Sequence, residues 1–136
     1  MTVVDVHTHM LSRDYLDLLY EKGAPQYAAG TSKAGEDIIR MWGAPFMTLT
    51  PEMLDYDKRI RDMDAAGVDL AIVSLTCPNA YFGDAATSLE AARIMNDSMA
   101  AQQTARPDRI RWFASLPWQH EELALAELER APTAKI

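Results

Sequence analysis

Cysteine is almost missing from this chain: Cys77 is the only one in 136 residues. No disulfide can form within the chain, and such sparse usage fits a reducing, cytoplasmic setting. Long apolar runs are missing too. None approaches the ~18–20 residues a helix needs to cross a bilayer, and no basic segment leads into an apolar signal core at the N-terminus. Basic residues are in deficit, with 13 Lys and Arg against 20 Asp and Glu, giving a formal charge of -7. That balance speaks against nucleic acid or an anionic membrane as partner. The charges of both signs are interspersed, as on solvated helix faces. What remains is ordinary for one globular domain: 49% hydrophobic and 24% charged residues.

Against that background the run Val3-Val4-Asp5-Val6-His7-Thr8-His9 stands out. A β-branched stretch reads as a buried strand, about Thr2–His7, with His9 at its mouth. Side chains two apart on a strand share a face. His7 and His9 therefore point the same way, with Asp5 one layer below them. Two imidazoles aimed at one point from a rigid strand make half of a metal site.

The rest of the chain alternates strand and helix. Residues 11–50 interrupt that rhythm with four glycines and two prolines among scattered aromatics. They read as an irregular insertion over the site, with a short helix near Asp14–Glu21. Thr50-Pro51 predicts an N-cap and first turn, and Gly67 the stop of the same helix. Val68–Leu75 reads as a strand buried on both faces. Thr87 and Glu90 have capping-box spacing for a helix that ends before Pro107. Ile110–Leu116 is a third strand, and a last helix runs from about Glu121 to Ala131, stopped by Pro132. This order implies parallel pairing through right-handed crossovers. An open doubly wound sheet would carry a glycine-rich first turn for phosphate. Here that turn is His-Thr-His-Met. Strand-end histidines instead suit a closed barrel, which places its chemistry at the strands' C-terminal ends.

Asp5-Val6-His7-Thr8-His9 resembles the first-strand motif of the amidohydrolase superfamily. Four further segments resemble the branch holding aminocarboxymuconate-semialdehyde decarboxylase and related metal-dependent carboxy-lyases, hydratases and lactonases. They are Arg59-Ile60-Arg61-Asp62-Met63-Asp64-Ala65-Ala66-Gly67-Val68-Asp69, Met95-Asn96-Asp97, Pro107-Asp108-Arg109-Ile110 and Ser115-Leu116-Pro117-Trp118-Gln119. The resemblance covers nearly the whole chain. It implies an α/β fold: the N-terminal part of a TIM-like (β/α)8 metal-dependent hydrolase barrel, about three βα units with an insertion after strand 1. It also implies one divalent metal, usually zinc, with His7 and His9 as ligands. The family's further ligands, a histidine after the fourth strand and an aspartate after the eighth, have no counterpart here, nor does its other catalytic histidine. The catalytic residues are accordingly expected beyond Ile136, and His120 is not assigned to the metal.

The activity this implies is non-oxidative decarboxylation of a carboxylated unsaturated or aromatic acid, with a small carboxylate as partner and a homo-oligomer at full length. Hydrolysis, lactone opening or hydration by the same superfamily is the near alternative. A histidinol-phosphatase-like phosphoesterase also opens with His-x-His but uses a larger ligand cluster. A catalytically inactive fragment, truncated near Pro132, is the non-enzyme alternative.

Around the pair, Asp5 is placed either beneath a ligand N–H or on backbone. Arg40 is a candidate for gripping a substrate carboxylate, since guanidinium binds carboxylate bidentately. Thr76 and Asn79, just past strand two, and Trp118, at the end of strand three, are candidates for the pocket lining. Cys77 has no base beside it to make it a nucleophile. Arg59 and Arg61 read as surface charge paired with Asp57, Asp62 and Asp64.

Overall fold

In a computed structural model, residues 1–131 are described. Three parallel strands form the central sheet: β1 (Val4–His9), β5 (Leu70–Ser74) and β6 (Ile110–Trp112), in the order β1-β5-β6. Around them run α1 (Arg13–Lys22), α2 (Tyr56–Ala66), α3 (Ala85–Ala105) and α4 (Glu121–Arg130). The expected strand-helix alternation is therefore present. The element stopped by Pro132 ends at Arg130, and Pro132 itself lies outside the described residues.

The insertion is not irregular. After α1 it folds as an antiparallel meander of β2 (Tyr27–Thr31), β3 (Asp37–Met41) and β4 (Ala44–Thr48). Met41 pairs directly with Ala44, so Trp42 and Gly43 form a two-residue hairpin turn. Both have positive φ, 51° and 80°, as the primed turns that match strand twist require. A tryptophan at the first of those positions hides the turn from a reading tuned to Asn-Gly. Pro45 inside β4 hides the strand, yet β4 is an edge, where proline costs no ladder bond.

Helix starts shift by a few residues from expectation, each for a capping reason. Thr50-Pro51 opens only a short 3-10 turn over Pro51–Met53, with no side-chain cap bond. The cap of α2 is Asp55, whose Oδ1 accepts from the N–H groups of Asp57 at 2.8 Å and Lys58 at 3.1 Å. Gly67 closes α2 in the left-handed region at φ 69°, as expected. Likewise Asp84, not Thr87, caps α3, accepting from Thr87 N–H at 2.9 Å. A carboxylate also complements the helix dipole there, which a hydroxyl does not.

One apolar cluster joins the parts. Met10, Leu11, Tyr15 and Leu19 from the β1–α1 segment meet Ile39 of the meander, Val73 of β5, Phe82, and Met95 and Met99 of α3. The meander is thereby joined to the same core, with β2 lying against α1. The third strand stops at Trp112, short of Leu116, because β6 is an outer strand. Its continuation is held from α3 instead: Asn96 Nδ2 donates to Ser115 O at 2.9 Å, and Ser115 N–H donates to Asn96 Oδ1 at 2.8 Å.

Candidate metal centre

His7 and His9 close β1, and their side chains converge. The two Nε2 atoms lie 3.1 Å apart, with the rings nearly perpendicular at 81°. Two nitrogens bound to one tetrahedral ion at about 2.0–2.1 Å would be roughly 3.3 Å apart, so the observed spacing fits a shared ion. Strict alternation does not explain this by itself. Three steps on β1, Asp5 to Thr8, match two on β5, Ala71 to Val73, which marks a bulge around Val6–His7. Bulges re-aim side chains at strand ends.

His9 is the better anchored of the two. Its Nδ1 lies 3.1 Å from Ser74 Oγ and 3.4 Å from Ser74 O. The Ser74 hydroxyl donates to Thr8 O at 3.4 Å, which leaves Oγ as the acceptor. His9 Nδ1 then carries the proton, and Nε2 keeps the lone pair a metal needs. Ser74 pairs with His9 across the β1–β5 ladder. The sequence reading passed over it, although a serine ending an apolar strand opposite a histidine was the available signal. His7 is solvent-exposed and His9 half-buried, so the pair opens outward.

The other candidates are not gathered at this point. Asp5 accepts the backbone N–H of His7 at 3.1 Å and no imidazole proton, so of its two expected placements the backbone one is observed. It steadies the bulge rather than a ligand ring. Arg40 lies across the meander, donating to Gly43 O at 3.1 Å and Thr31 O at 3.2 Å. Gly30 leaves room for it, since a Cβ there would strike the Arg40 stem. Asn79 turns its amide inward: Nδ2 donates to Leu75 O at 3.1 Å and Oδ1 accepts from Ala80 N–H at 2.9 Å. Those bonds close the loop after β5 and occupy the group proposed for the pocket. Thr76 is half-buried, and Trp118 is 67% exposed past β6. Tyr15 donates to Asn79 O at 2.7 Å; burial above all holds its phenol far above the usual range, so it stays protonated.

Arg59 corrects the surface reading. Its Nη2 donates to His9 O at 3.2 Å. The acids expected around it are engaged elsewhere: Asp57 with Arg106, Asp64 with Arg109 at 2.7 Å, and Asp62 with Lys58 at 3.2 Å. A cleft of about 450 Å³ lies between α2 and the α3–β6 loop and is lined by Asp57, Arg61, Arg106 and Arg109, without either histidine of the pair. Charge compensation within α2 and that loop accounts for it.

Among the described residues no group of three or more His, Cys, Asp or Glu side chains is placed to hold an ion. His7 and His9 thus fit a metal as two of the roughly four donors a zinc ion takes. No helix of the described residues is long and apolar enough to cross a membrane.

No protein-family profile matches the chain. Curated relatives do. The gamma-resorcylate decarboxylase of Polaromonas sp. is 43% identical over 84 residues, which cover 60% of this chain and 26% of that enzyme. The 2-amino-3-carboxymuconate-6-semialdehyde decarboxylase of Caenorhabditis elegans is 28% identical over 130 residues, covering 90% of this chain and 31% of that enzyme. Among solved structures, a dihydroxybenzoic acid decarboxylase from Polaromonas sp., with bound manganese and the inhibitor 2-nitroresorcinol, matches at a TM-score of 0.66 and 31% identity. That match covers 96% of this chain and 35% of the enzyme. The chain spans about a quarter to a third of the length of these relatives. By sequence and by fold, the chain is similar to the N-terminal portion of the amidohydrolase-superfamily decarboxylases, in the aminocarboxymuconate-semialdehyde decarboxylase-like branch.

Proposed function

We propose that this chain supplies the first two metal ligands, His7 and His9, of a non-oxidative decarboxylase acting on a hydroxylated aromatic carboxylate. The observation that carries the reading is the 3.1 Å convergence of the two Nε2 atoms, with Ser74 fixing the His9 tautomer. Decarboxylation is preferred to hydrolysis or hydration because the relatives described above are decarboxylases.

A divalent ion bound there would act as a Lewis acid that polarises and orients an oxygen-bearing substrate. Zinc is the ion favoured here, since neutral imidazoles suit it; manganese is the ion in the related structure. The chain's own residues do the positioning. His7 and His9 present lone pairs, Ser74 holds the His9 ring, and Asp5 holds the backbone N–H of His7. Arg40 keeps free guanidinium N–H groups that a carboxylate on the meander side can use. Thr76 follows β5 and Trp118 follows β6 in the chain, and both remain part of the proposed lining. The reading includes a cytoplasmic setting, consistent with the lone exposed thiol of Cys77.

The test is carbon dioxide release from 2,6-dihydroxybenzoate by the native polypeptide that carries this sequence. Turnover should vanish on chelation, return with manganese or zinc, and be lost with His7→Ala. Turnover that survives exhaustive chelation, or a metal-loaded protein that releases no carbon dioxide from any hydroxybenzoate, would overturn the reading.

A further inference from the structure

Arg59 sits in α2, fifty positions along the chain from His9, and crosses from the helix layer to the strand end. Asp55 and Asp62 are its helix neighbours at four before and three after, the usual partners of a surface arginine. Neither is used. Asp55 caps the helix, Asp62 takes Lys58, and among the described residues Arg59 forms no ion pair. Its Nε is buried without a partner. A side chain serving only as surface charge has no reason to bury an unmade N–H, because water would satisfy it. Among the described residues the guanidinium makes one bond, to the carbonyl of His9.

That carbonyl belongs to the peptide joining His9 to Met10. The N–H of the same peptide donates to Ser74 O at 3.1 Å. Both polar groups of the plane are therefore tied, the carbonyl to α2 and the N–H to β5. The ring of His9 is tied as well, through Nδ1 to Ser74. With the plane and the ring both fixed, the height of Nε2 over the sheet is fixed, and with it the meeting point with His7. His7 has an exposed ring, and its backbone N–H donates to Asp5 Oδ1.

We propose that Arg59 is a positioning residue for His9, holding the strand end from the helix layer so that the two imidazoles converge. This rests on the reading of His7 and His9 as ligands. Removing partners that orient a ligand typically weakens metal binding 10–100-fold.

The experiment compares three variants of the 136-residue chain: Arg59→Met, similar in length but without donors; Arg59→Lys, with a shorter stem and one donor head; and Arg61→Met, on the exposed side of the same helix. Cobalt(II) is titrated by visible absorption, and the histidine rings of the metal-free proteins are followed by ¹H–¹⁵N correlation. Arg59→Met should bind cobalt at least about tenfold more weakly and move the His9 ring signals while leaving His120 in place. Arg59→Lys should fall between it and the native chain, and Arg61→Met should match the native chain. A folded Arg59→Met with native cobalt affinity and native His9 signals overturns the proposal. Should Arg59→Met not fold, Arg59→Lys decides: unchanged affinity and unchanged His9 signals overturn it equally. A native chain that binds no cobalt defeats the ligand reading, while the metal-free ring signals still decide the role of Arg59.

Discussion

Replacing Asn96 with alanine should destabilise the fold more than any change at the exposed sites. Asn96 is fully buried on α3 and makes three bonds: Nδ2 to Ser115 O at 2.9 Å and to Glu127 Oε1 at 2.8 Å, and Oδ1 from Ser115 N–H at 2.8 Å. Alanine leaves three buried polar groups short of a partner, two on the Ser115 backbone and one on Glu127. Each neutral orphan costs roughly 1–2 kcal/mol. Glu127 is hurt less, because Arg130 Nε at 2.6 Å and Arg93 still reach it. The sum is about 3–5 kcal/mol, after allowance for some water entry. That is a large share of the 5–15 kcal/mol by which domains are ordinarily stable. In urea, with a slope of about 2 kcal/mol/M, the midpoint should fall by roughly 2 M, read by far-ultraviolet circular dichroism. A fall of less than about 0.5 M on that slope would refute the reasoning, since it would mean that the Ser115 backbone finds other partners at little cost.

Three further outcomes follow from the same geometry. Burial alone would raise the pKa of Glu127, but hydrogen bonds from Arg130, Asn96 and Arg93 outweigh it and hold the carboxyl below its usual value. Its contribution is thus present above the unfolded value of about 4.3 and disappears as pH falls through the lower folded value. Unfolding free energy measured from pH 6 down to pH 3 should drop more steeply for the native chain than for Glu127→Gln, and parallel slopes would sink this. Trp42, at positive φ and 67% exposed, should be improved by asparagine, raising stability by about 0.5–1 kcal/mol in thermal melts; a lower melting temperature would show that the indole packs against something of value. Gly67→Ala, at φ 69° in open space, should lower stability by about 1 kcal/mol, and no loss would mean that α2 ends in another way.

The sheet strands, the helices and the histidine pair were legible because each rests on local chemistry: β-branched runs, glycine stops and a two-residue repeat. The meander was not, since Ala28, Ala29 and Gly30 are weak strand formers and its turn lacks Asn or Asp. Those strands form because Tyr27, Ile38 and Ile39 bury against the core, a tertiary reason invisible in a window of sequence. Asp84 and Asp55 were outcompeted in the reading by nearby Thr-Pro and Thr-x-x-Glu patterns, which satisfy the same rule on paper. Ser74 and Arg59 were missed for a common cause. Their partner is His9, sixty-five and fifty positions away, and only the parallel register of β1 on β5 and the seat of α2 bring them to it.

The central claim is that His7 and His9 together hold one divalent ion. With three histidines in the sequence, long-range ¹H–¹⁵N spectra during zinc titration give a direct answer. The account predicts that the Nε2 signals of His7 and His9 shift together to metal-bound values, saturating at one zinc per chain, while His120 stays fixed. Zinc that moves His120 first, or leaves the pair unshifted, would contradict it.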